Sequence, residues 1–163
     1  MNKLPSKEML LEACSGTVLF GHPVLSAACE LAALHAARMT ASDEDLPGID
    51  CARAKLVHCI DCWVSANMPL PRGAAYMHTE TVGMVVDRIG RYSVDAEVAL
   101  RSDVSVLQRH YVWERLAELA LAYTDLAFEI GAGLRKVPFL IHNHSQRDST
   151  EQEHDLEHPG IRE

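Results

Sequence analysis

The chain has 163 residues, of which 48% are hydrophobic and 23% are charged, and its formal net charge is −8. This length suits one domain with a buried core. The negative net charge argues against non-specific binding to nucleic acid or to an anionic membrane, because both interactions need a basic surface. We therefore expect a protein that binds neither nucleic acid nor a membrane.

Two features of the sequence bear on its compartment. The N-terminal residues 1–8 include two lysines, but no apolar run follows them, so we predict no signal peptide. No apolar stretch reaches the length of a membrane span. The five cysteines are an odd number, which favours free thiols in a reducing compartment. We expect the protein to be cytoplasmic.

Helical periodicity dominates the chain. Alanine and leucine are frequent, and apolar residues recur at the three- and four-residue spacings of helices rather than at the alternating spacing of strands. The first helix is short, with Ser6 as its N-cap, and Pro23 suits the first turn of the second. The predicted helices cover residues 6–14, 23–39, 49–67, 80–101 and 104–134.

The number and length of these helices predict an all-α fold. Four long helices joined by short loops favour an up-down helical bundle, preceded by the short N-terminal helix. We expect residues 1–141 to form this single domain. Residues 142–163 contain few apolar side chains and cannot offset the entropy lost on ordering, so they are predicted to be a mobile polar tail.

The densest group of chemically versatile residues is His78-Thr79-Glu80-Thr81-Val82-Gly83-Met84-Val85-Val86-Asp87-Arg88. In a functional interpretation His78 or Glu80 is an acid or base, Glu80 or Asp87 orients the histidine, and Arg88 holds an anionic group. In a structural interpretation Thr79 caps the fourth helix and Glu80 interacts with its dipole.

The fourth predicted helix has three distinct faces. Asp87 and Arg91 lie four residues apart on a polar face, the spacing of a helical ion pair. Gly83 and Gly90 share another stripe, where the lack of side chains permits close approach of a second backbone or a ligand. The apolar face contains Val82, Val85, Val86, Ile89, Ala96 and Leu100.

The second helix places His35 and Arg38 within an apolar stripe. Buried polar side chains need partners, because an unsatisfied group loses its hydrogen bonds to water. The candidate partners are Glu80, Asp87 and Asp125. We therefore expect an internal polar network, which either stabilises the bundle or forms a ligand site.

Several of these segments together resemble DUF4254, a family of bacterial proteins of unknown function. The matching segments are Leu34-His35-x-x-Arg38, Ile60-Asp61-x-Trp63-Val64, the central run from His78 to Arg88, Trp113-x-Arg115-Leu116-Ala117-Glu118-Leu119-Ala120 and Tyr123-x-Asp125-Leu126. The last two resemble the actinobacterial branch. The resemblance covers roughly residues 25–138, implies an all-helical fold and no established activity, and transfers no catalytic residue.

The first function hypothesis is a bundle that binds or processes a small molecule, without an organic cofactor. The sequence has no Walker A, Gly-x-Gly-x-x-Gly, His-Glu-x-x-His or Gly-x-Ser-x-Gly motif that would indicate a known chemistry. The candidate catalytic residues are His78, Glu80 and Asp87. The candidate ligand-binding residues are His35, Arg38, Arg88 and Asp125.

Two other classes of function stay open. In the first, the protein is a non-catalytic module that binds a partner, or a second copy of itself to form a homo-oligomer. The contact is then made by the glycine stripe or by an acidic stripe formed by Glu114, Glu118, Asp125 and Glu129. Alternatively it is a metal-binding bundle, for which His58 and Cys62 have the spacing of a shared zinc ion. We assign no metal ligand, since no complete ligand set is evident.

Overall fold

The computed structural model describes residues 3–17 and 21–138, and this part of the chain confirms the predicted all-α helical bundle. The helices are α1 (Lys7–Cys14), α2 (Pro23–Arg38), α3 (Leu46–Asn67), α4 (Val82–Arg101) and α5 (Val106–Gly131). There are also two short strands in the described residues: β1 (Tyr76–Met77) lies between α3 and α4, and β2 (Arg135–Lys136) follows α5. The predicted tail at residues 142–163 lies outside the described residues.

Side-chain caps are present where four of the helices begin, and those of α1 and α4 test the predictions. The hydroxyl of Ser6 accepts a hydrogen bond from the Met9 N–H at 3.3 Å, as predicted for α1. At α4 the cap is Thr81, whose hydroxyl accepts from the Met84 N–H at 3.2 Å. The prediction of Thr79 as the cap is therefore wrong, and α4 begins at Val82 rather than at Glu80.

The ends of α3 and α5 also differ from the predictions. Helix α3 begins at Leu46, before the predicted residue 49, because Pro47 lies in the first turn, where a missing N–H costs nothing. Helix α5 ends at Gly131. Gly133 then adopts a φ of +70°, a left-handed conformation that favours glycine and turns the chain towards β2.

Helix α4 is the central element of the bundle. It packs against each of the other four helices, whereas α5 packs chiefly against α4 and touches α1. Helices α2 and α3 contact α4 and each other. The apolar face of α4 is buried as predicted, except that Leu100 is 57% exposed near the helix end. The largest fully buried side chains of the described core are Tyr123, Leu10, Leu25, Leu31, Ile60 and Ile89.

The glycine stripe of α4 brings other backbones into contact, as predicted. A Cβ atom on Gly83 would lie 2.3 Å from the carbonyl oxygen of Val57 in α3. A Cβ atom on Gly90 would lie 3.3 Å from the backbone nitrogen of Ala32 in α2. These close approaches draw α2 and α3 tightly onto one side of α4.

The parallel pair of strands links the loop before α4 to the chain after α5. Tyr76 pairs with Arg135 and Met77 with Lys136. The N–H of His78 then donates a hydrogen bond to the Lys136 carbonyl at 2.6 Å. This pairing places His78 beside the segment that follows α5.

Candidate functional site

Asp87 of α4 joins three helices through its carboxylate. Oδ2 accepts a hydrogen bond from Nη2 of Arg53 at 2.6 Å, and Oδ1 accepts from Nε of the same arginine at 3.1 Å. Oδ1 also lies 2.9 Å from Nε2 of His35, and the Asp87 carbonyl lies 3.1 Å from that nitrogen. Because both of these partners are acceptors, Nε2 is the protonated ring nitrogen.

These contacts decide the charge of Asp87. Burial alone raises the pKa of this carboxyl, but the hydrogen bonds and positive charges of His35 and Arg53 outweigh burial and hold the pKa below its usual value. Asp87 is therefore ionised at neutral pH. The two-pronged contact with Arg53 is the geometry in which guanidinium and carboxylate pair most strongly.

The network continues outward through Asp50 at the first turns of α3. Its Oδ1 accepts from Nη1 of Arg38 at 2.7 Å and from Nη1 of Arg53 at 3.0 Å. The internal polar network predicted for His35 and Arg38 is therefore present, with Asp87 bonded to His35 and Asp50 bonded to Arg38. We call His35, Arg38, Asp50, Arg53 and Asp87 the Asp87 cluster.

The predicted ion pair between Asp87 and Arg91 is wrong. Both oxygens of Asp87 are directed to His35 and Arg53. Arg91 instead lies 4.0 Å from Asp95, one helical turn further along α4, and its side chain is 65% exposed. The guanidinium of Arg91 is consequently accessible at the surface next to the cluster.

A cavity of about 420 Å³ lies beside the Asp87 cluster, within the size range of small-molecule sites. Three of its lining side chains are arginines, which are suited to binding carboxylate or phosphate groups. Asp95 is the one acidic residue of the lining. The lining residues are His35, Arg38, Met39, Arg53, Arg91, Val94 and Asp95.

The remaining polar residues of the central run form a second cluster. Nδ1 of His78 lies 3.0 Å from the Glu80 carbonyl oxygen and 3.2 Å from the Glu80 backbone nitrogen, so it donates to the first when it carries a proton and accepts from the second when it does not. The Glu80 carboxylate accepts a hydrogen bond from Nη2 of Arg88. None of these three residues lines the cavity beside Asp87. The structure therefore divides the run between two places, with Asp87 in one and His78, Glu80 and Arg88 in the other.

Asp125 lies apart from both clusters. Its side chain is exposed on α5, a helix that packs against α4 and not against α2 or α3 in the described part of the chain. It is therefore not the partner of His35 or Arg38 that the sequence offered as an alternative. Its neighbours on the acidic stripe, Glu114 and Glu118, are also exposed, whereas Glu129 accepts a hydrogen bond from Arg135 at 2.7 Å.

Sequence reasoning missed Arg53 and the role of Asp61. Arg53 lies three residues after Asp50, a helical spacing that indicates the ion pair but not the contact with α4. Oδ1 of Asp61 accepts the Gly83 N–H at 2.7 Å, at the beginning of α4. Burial raises the pKa of Asp61, and the hydrogen bonds from Gly83 and Thr81 oppose that rise.

The predicted zinc-ligand pair lies on α3. Sγ of Cys62 lies 3.4 Å from Nε2 of His58, which brings two potential ligands together. In residues 3–17 and 21–138, no three His, Cys, Asp or Glu side chains are grouped as a metal-ligand set. Cys51, Cys59 and Cys62 are exposed free thiols.

Fold and site together define a small all-α protein with an arginine-lined cavity at the junction of three helices. Over residues 32–139 the chain matches DUF4254, described as a protein of unknown function, and it belongs to that family. No curated protein and no solved structure matches it. Among the described residues, no helix has the length and apolar character needed to cross a membrane.

Proposed function

We propose that this protein binds a small anionic molecule, carrying a phosphate or carboxylate group, in the cavity beside the Asp87 cluster. The observation that carries the proposal is the convergence of Arg38, Arg53 and Arg91 on one cavity that has a single acidic lining residue. Guanidinium groups recognise such anions through paired hydrogen bonds.

The arrangement of charges around the cavity supports this proposal. Asp50 and Asp87 do not line the cavity, and their contacts with Arg38 and Arg53 hold the two guanidinium groups in place. Groups that are already fixed lose less conformational entropy when a ligand binds. Arg38 makes its hydrogen bond to Asp50 through Nη1, so that Nε and Nη2 keep donors for a ligand.

Acid–base chemistry on the bound anion is assigned in this proposal to His35. Its Nε2 is held by Asp87, and Nδ1 has no hydrogen-bond partner among the described residues. A histidine with one nitrogen fixed by a carboxylate and the other unbonded has the arrangement that general acid–base catalysis uses. Asp87 is then a positioning residue, and the candidates His78 and Glu80 take no part in this site.

The test is a titration with inorganic phosphate and with citrate at constant ionic strength, read by calorimetry and by melting temperature. We expect saturable binding of at least one anion. Arg91→Gln should weaken binding at least about tenfold, because one charge-assisted hydrogen bond contributes roughly 1.5–3 kcal/mol. Arg101→Gln is the matched control, since Arg101 also forms a surface ion pair on α4, with Glu97, but does not line the cavity.

A second readout locates the bound anion. The imidazole nitrogen resonances of His35 should shift on addition of the anion that binds, whereas those of His110, exposed on α5, should not. The proposal is rejected if neither anion binds saturably, or if Arg91→Gln and Arg101→Gln bind as well as the parent. A shift of His110 equal to that of His35 would indicate a non-specific effect of salt and would also count against the site.

A further inference from the structure

The outward side of α5 is an exposed apolar surface. This helix has 26 residues, so it is about 39 Å long, and its core side packs chiefly against α4. Apolar side chains on the outward side are between 42% and 80% exposed. They are Val106, Leu107, Tyr111, Trp113, Leu121 and Phe128. Several large exposed apolar side chains on one side of a helix are a feature of interaction sites.

The spacing of these residues fits a second helix. Trp113 follows Val106 by seven residues, Leu121 follows Trp113 by eight, and Phe128 follows Leu121 by seven. Steps of seven and eight residues return to the same helical face, the pattern of a helix–helix seam. The small exposed residues Ala117 and Thr124 lie between the large ones and permit close approach of another helix.

The charged residues of α5 that lie beside Trp113, Leu121 and Phe128 are acidic. Glu114, Glu118 and Asp125 are exposed beside the apolar residues. The two arginines of α5 contact α4, because Nε of Arg109 donates to the Ala99 carbonyl at 3.2 Å and Arg115 lies 4.1 Å from the centre of the Tyr92 ring. Arg115 also lies 5.4 Å from the centre of the Tyr111 ring, at the edge of the apolar surface. A second copy of the chain would bring the same acidic residues to the interface, and such like-charge contacts are unfavourable.

A cleft of about 670 Å³ continues the surface at its C-terminal end. Phe128 contributes to both, and the cleft also contains apolar residues of the N-terminal segment and of the loop after α3, namely Leu4, Pro5, Met68 and Pro69. Its cations are Lys3, which precedes α1, and Lys7, the first residue of α1, and Lys7 lies 3.6 Å from Glu8. A concave pocket at the end of a seam is where a large apolar anchor residue binds.

We propose that α5 is a docking surface for a basic amphipathic helix of another protein. The apolar side of that helix packs along Trp113, Leu121 and Phe128, with a large residue in the cleft. Its lysines and arginines contact Glu114, Glu118 and Asp125. This interaction is independent of the anion site, because no residue of the Asp87 cluster lies on α5.

The test uses two synthetic helical peptides with the same leucine and phenylalanine seam, one flanked by lysine and arginine and one by glutamate. Binding is measured from the fluorescence of Trp113 in a Trp63→Phe background. We expect saturable binding of the basic peptide alone. Leu121→Ser and Glu118→Lys should each weaken it at least about tenfold, the effect of losing roughly 1.4 kcal/mol. Glu30→Lys, the same charge change on an exposed residue of α2, should leave binding unchanged.

Three results would overturn the proposal. The acidic peptide could bind as tightly as the basic one, or neither peptide could bind. The third is a dimer, seen by sedimentation, that Leu121→Ser converts to a monomer, since the seam would then belong to a second copy. Melting temperatures of all variants establish that the outcome reflects the surface and not unfolding.

Discussion

Asp87 illustrates how one buried charge connects elements that are distant in sequence. It accepts hydrogen bonds from α2 and from α3 while it forms part of α4. Its side chain is only 17% exposed, and a carboxylate at that depth costs free energy unless cations are bonded to it. His35 and Arg53 supply those bonds, so the three residues depend on one another.

We expect Asp87→Asn to lower the free energy of unfolding by about 1–3 kcal/mol at pH 7, because Arg53 and His35 lose an ionised partner. The folded state holds the pKa of Asp87 below its unfolded value. The stabilisation is therefore present above the unfolded pKa, about 3.9, and is lost as pH falls through the folded pKa. Urea denaturation of both proteins at pH 7 and at pH 3 measures the difference, which should shrink at the lower pH.

Asp95→Asn is the control for this prediction. Its carboxylate is 36% exposed and lies 4.0 Å from Arg91, so the change should cost less than about 0.5 kcal/mol at either pH. If Asp87→Asn is as stable as the parent at pH 7, or if its deficit is the same at pH 3, the ionised carboxylate does not stabilise the fold.

The sequence identified His35, Arg38 and Asp87 as members of one polar network but did not identify Arg53. The reason is that helical spacing reports neighbours on the same helix, whereas the choice among tertiary partners depends on how helices are oriented. Arg91 is four residues from Asp87, yet Arg53 from another helix provides the two-pronged contact that a carboxylate favours. Glu80 shows the opposite outcome, because it is bonded to Arg88 of the same stretch of chain and not to His35 of another helix.

At the scale of the helices, Gly83 controls the distance between α3 and α4. A Cβ atom there would lie 2.3 Å from a backbone oxygen of Val57 and 2.9 Å from Oδ1 of Asp61. Backbone cannot move aside as a flexible side chain can, and overpacking typically costs 1–3 kcal/mol. We expect Gly83→Ala to destabilise the protein by about 3 kcal/mol or more, measured by urea denaturation.

The matched control is Gly48→Ala, at the beginning of α3. No atom lies within 4 Å of a Cβ built at Gly48, so alanine is free to act through its higher helix propensity. We expect this variant to be more stable than the parent by about 0.5–1 kcal/mol. A Gly83→Ala protein that is equally stabilised would show that the two helices are further apart than the structure has them.

Helix interiors were predictable from the sequence, whereas helix ends depended on single residues. The periodic apolar positions of α4, such as Val82 and Ile89, are buried as the pattern predicts. Both Thr79 and Thr81 are acceptable caps, and local sequence does not distinguish them. The pairing of Tyr76 with Arg135 draws the chain before α4 into an extended conformation, so the second threonine becomes the cap.

At the scale of the whole molecule, the arrangement of the helices decides which faces remain exposed. The sequence shows that α5 has an apolar side and an acidic side. It does not show that the other helices cover only one side of α5. Because α2 and α3 pack on a different part of α4, the outward side of α5 retains Leu107, Leu121 and Phe128 at the surface. That placement arises from tertiary packing, and helical periodicity alone contains no information about it.

The cysteines report the packing of the whole molecule, because thiol reactivity depends on solvent access and on thiolate formation. Burial raises the pKa of Cys14 to about 11, and this residue is 8% exposed in the core formed by α1, α2 and α4. At pH 8 an aromatic disulfide reagent should modify exposed Cys51, Cys59 and Cys62 rapidly, while Cys14 should react at the rate of global unfolding. Mass spectrometry of peptides from a time course identifies each thiol, and the half-buried Cys29 should react at a rate between those of the two groups.

In denaturant all five cysteines should react together, which is the control for reagent access. Modification of Cys14 as fast as Cys51 would mean that α1 detaches while the rest of the bundle stays folded, and the core would then not include the first helix.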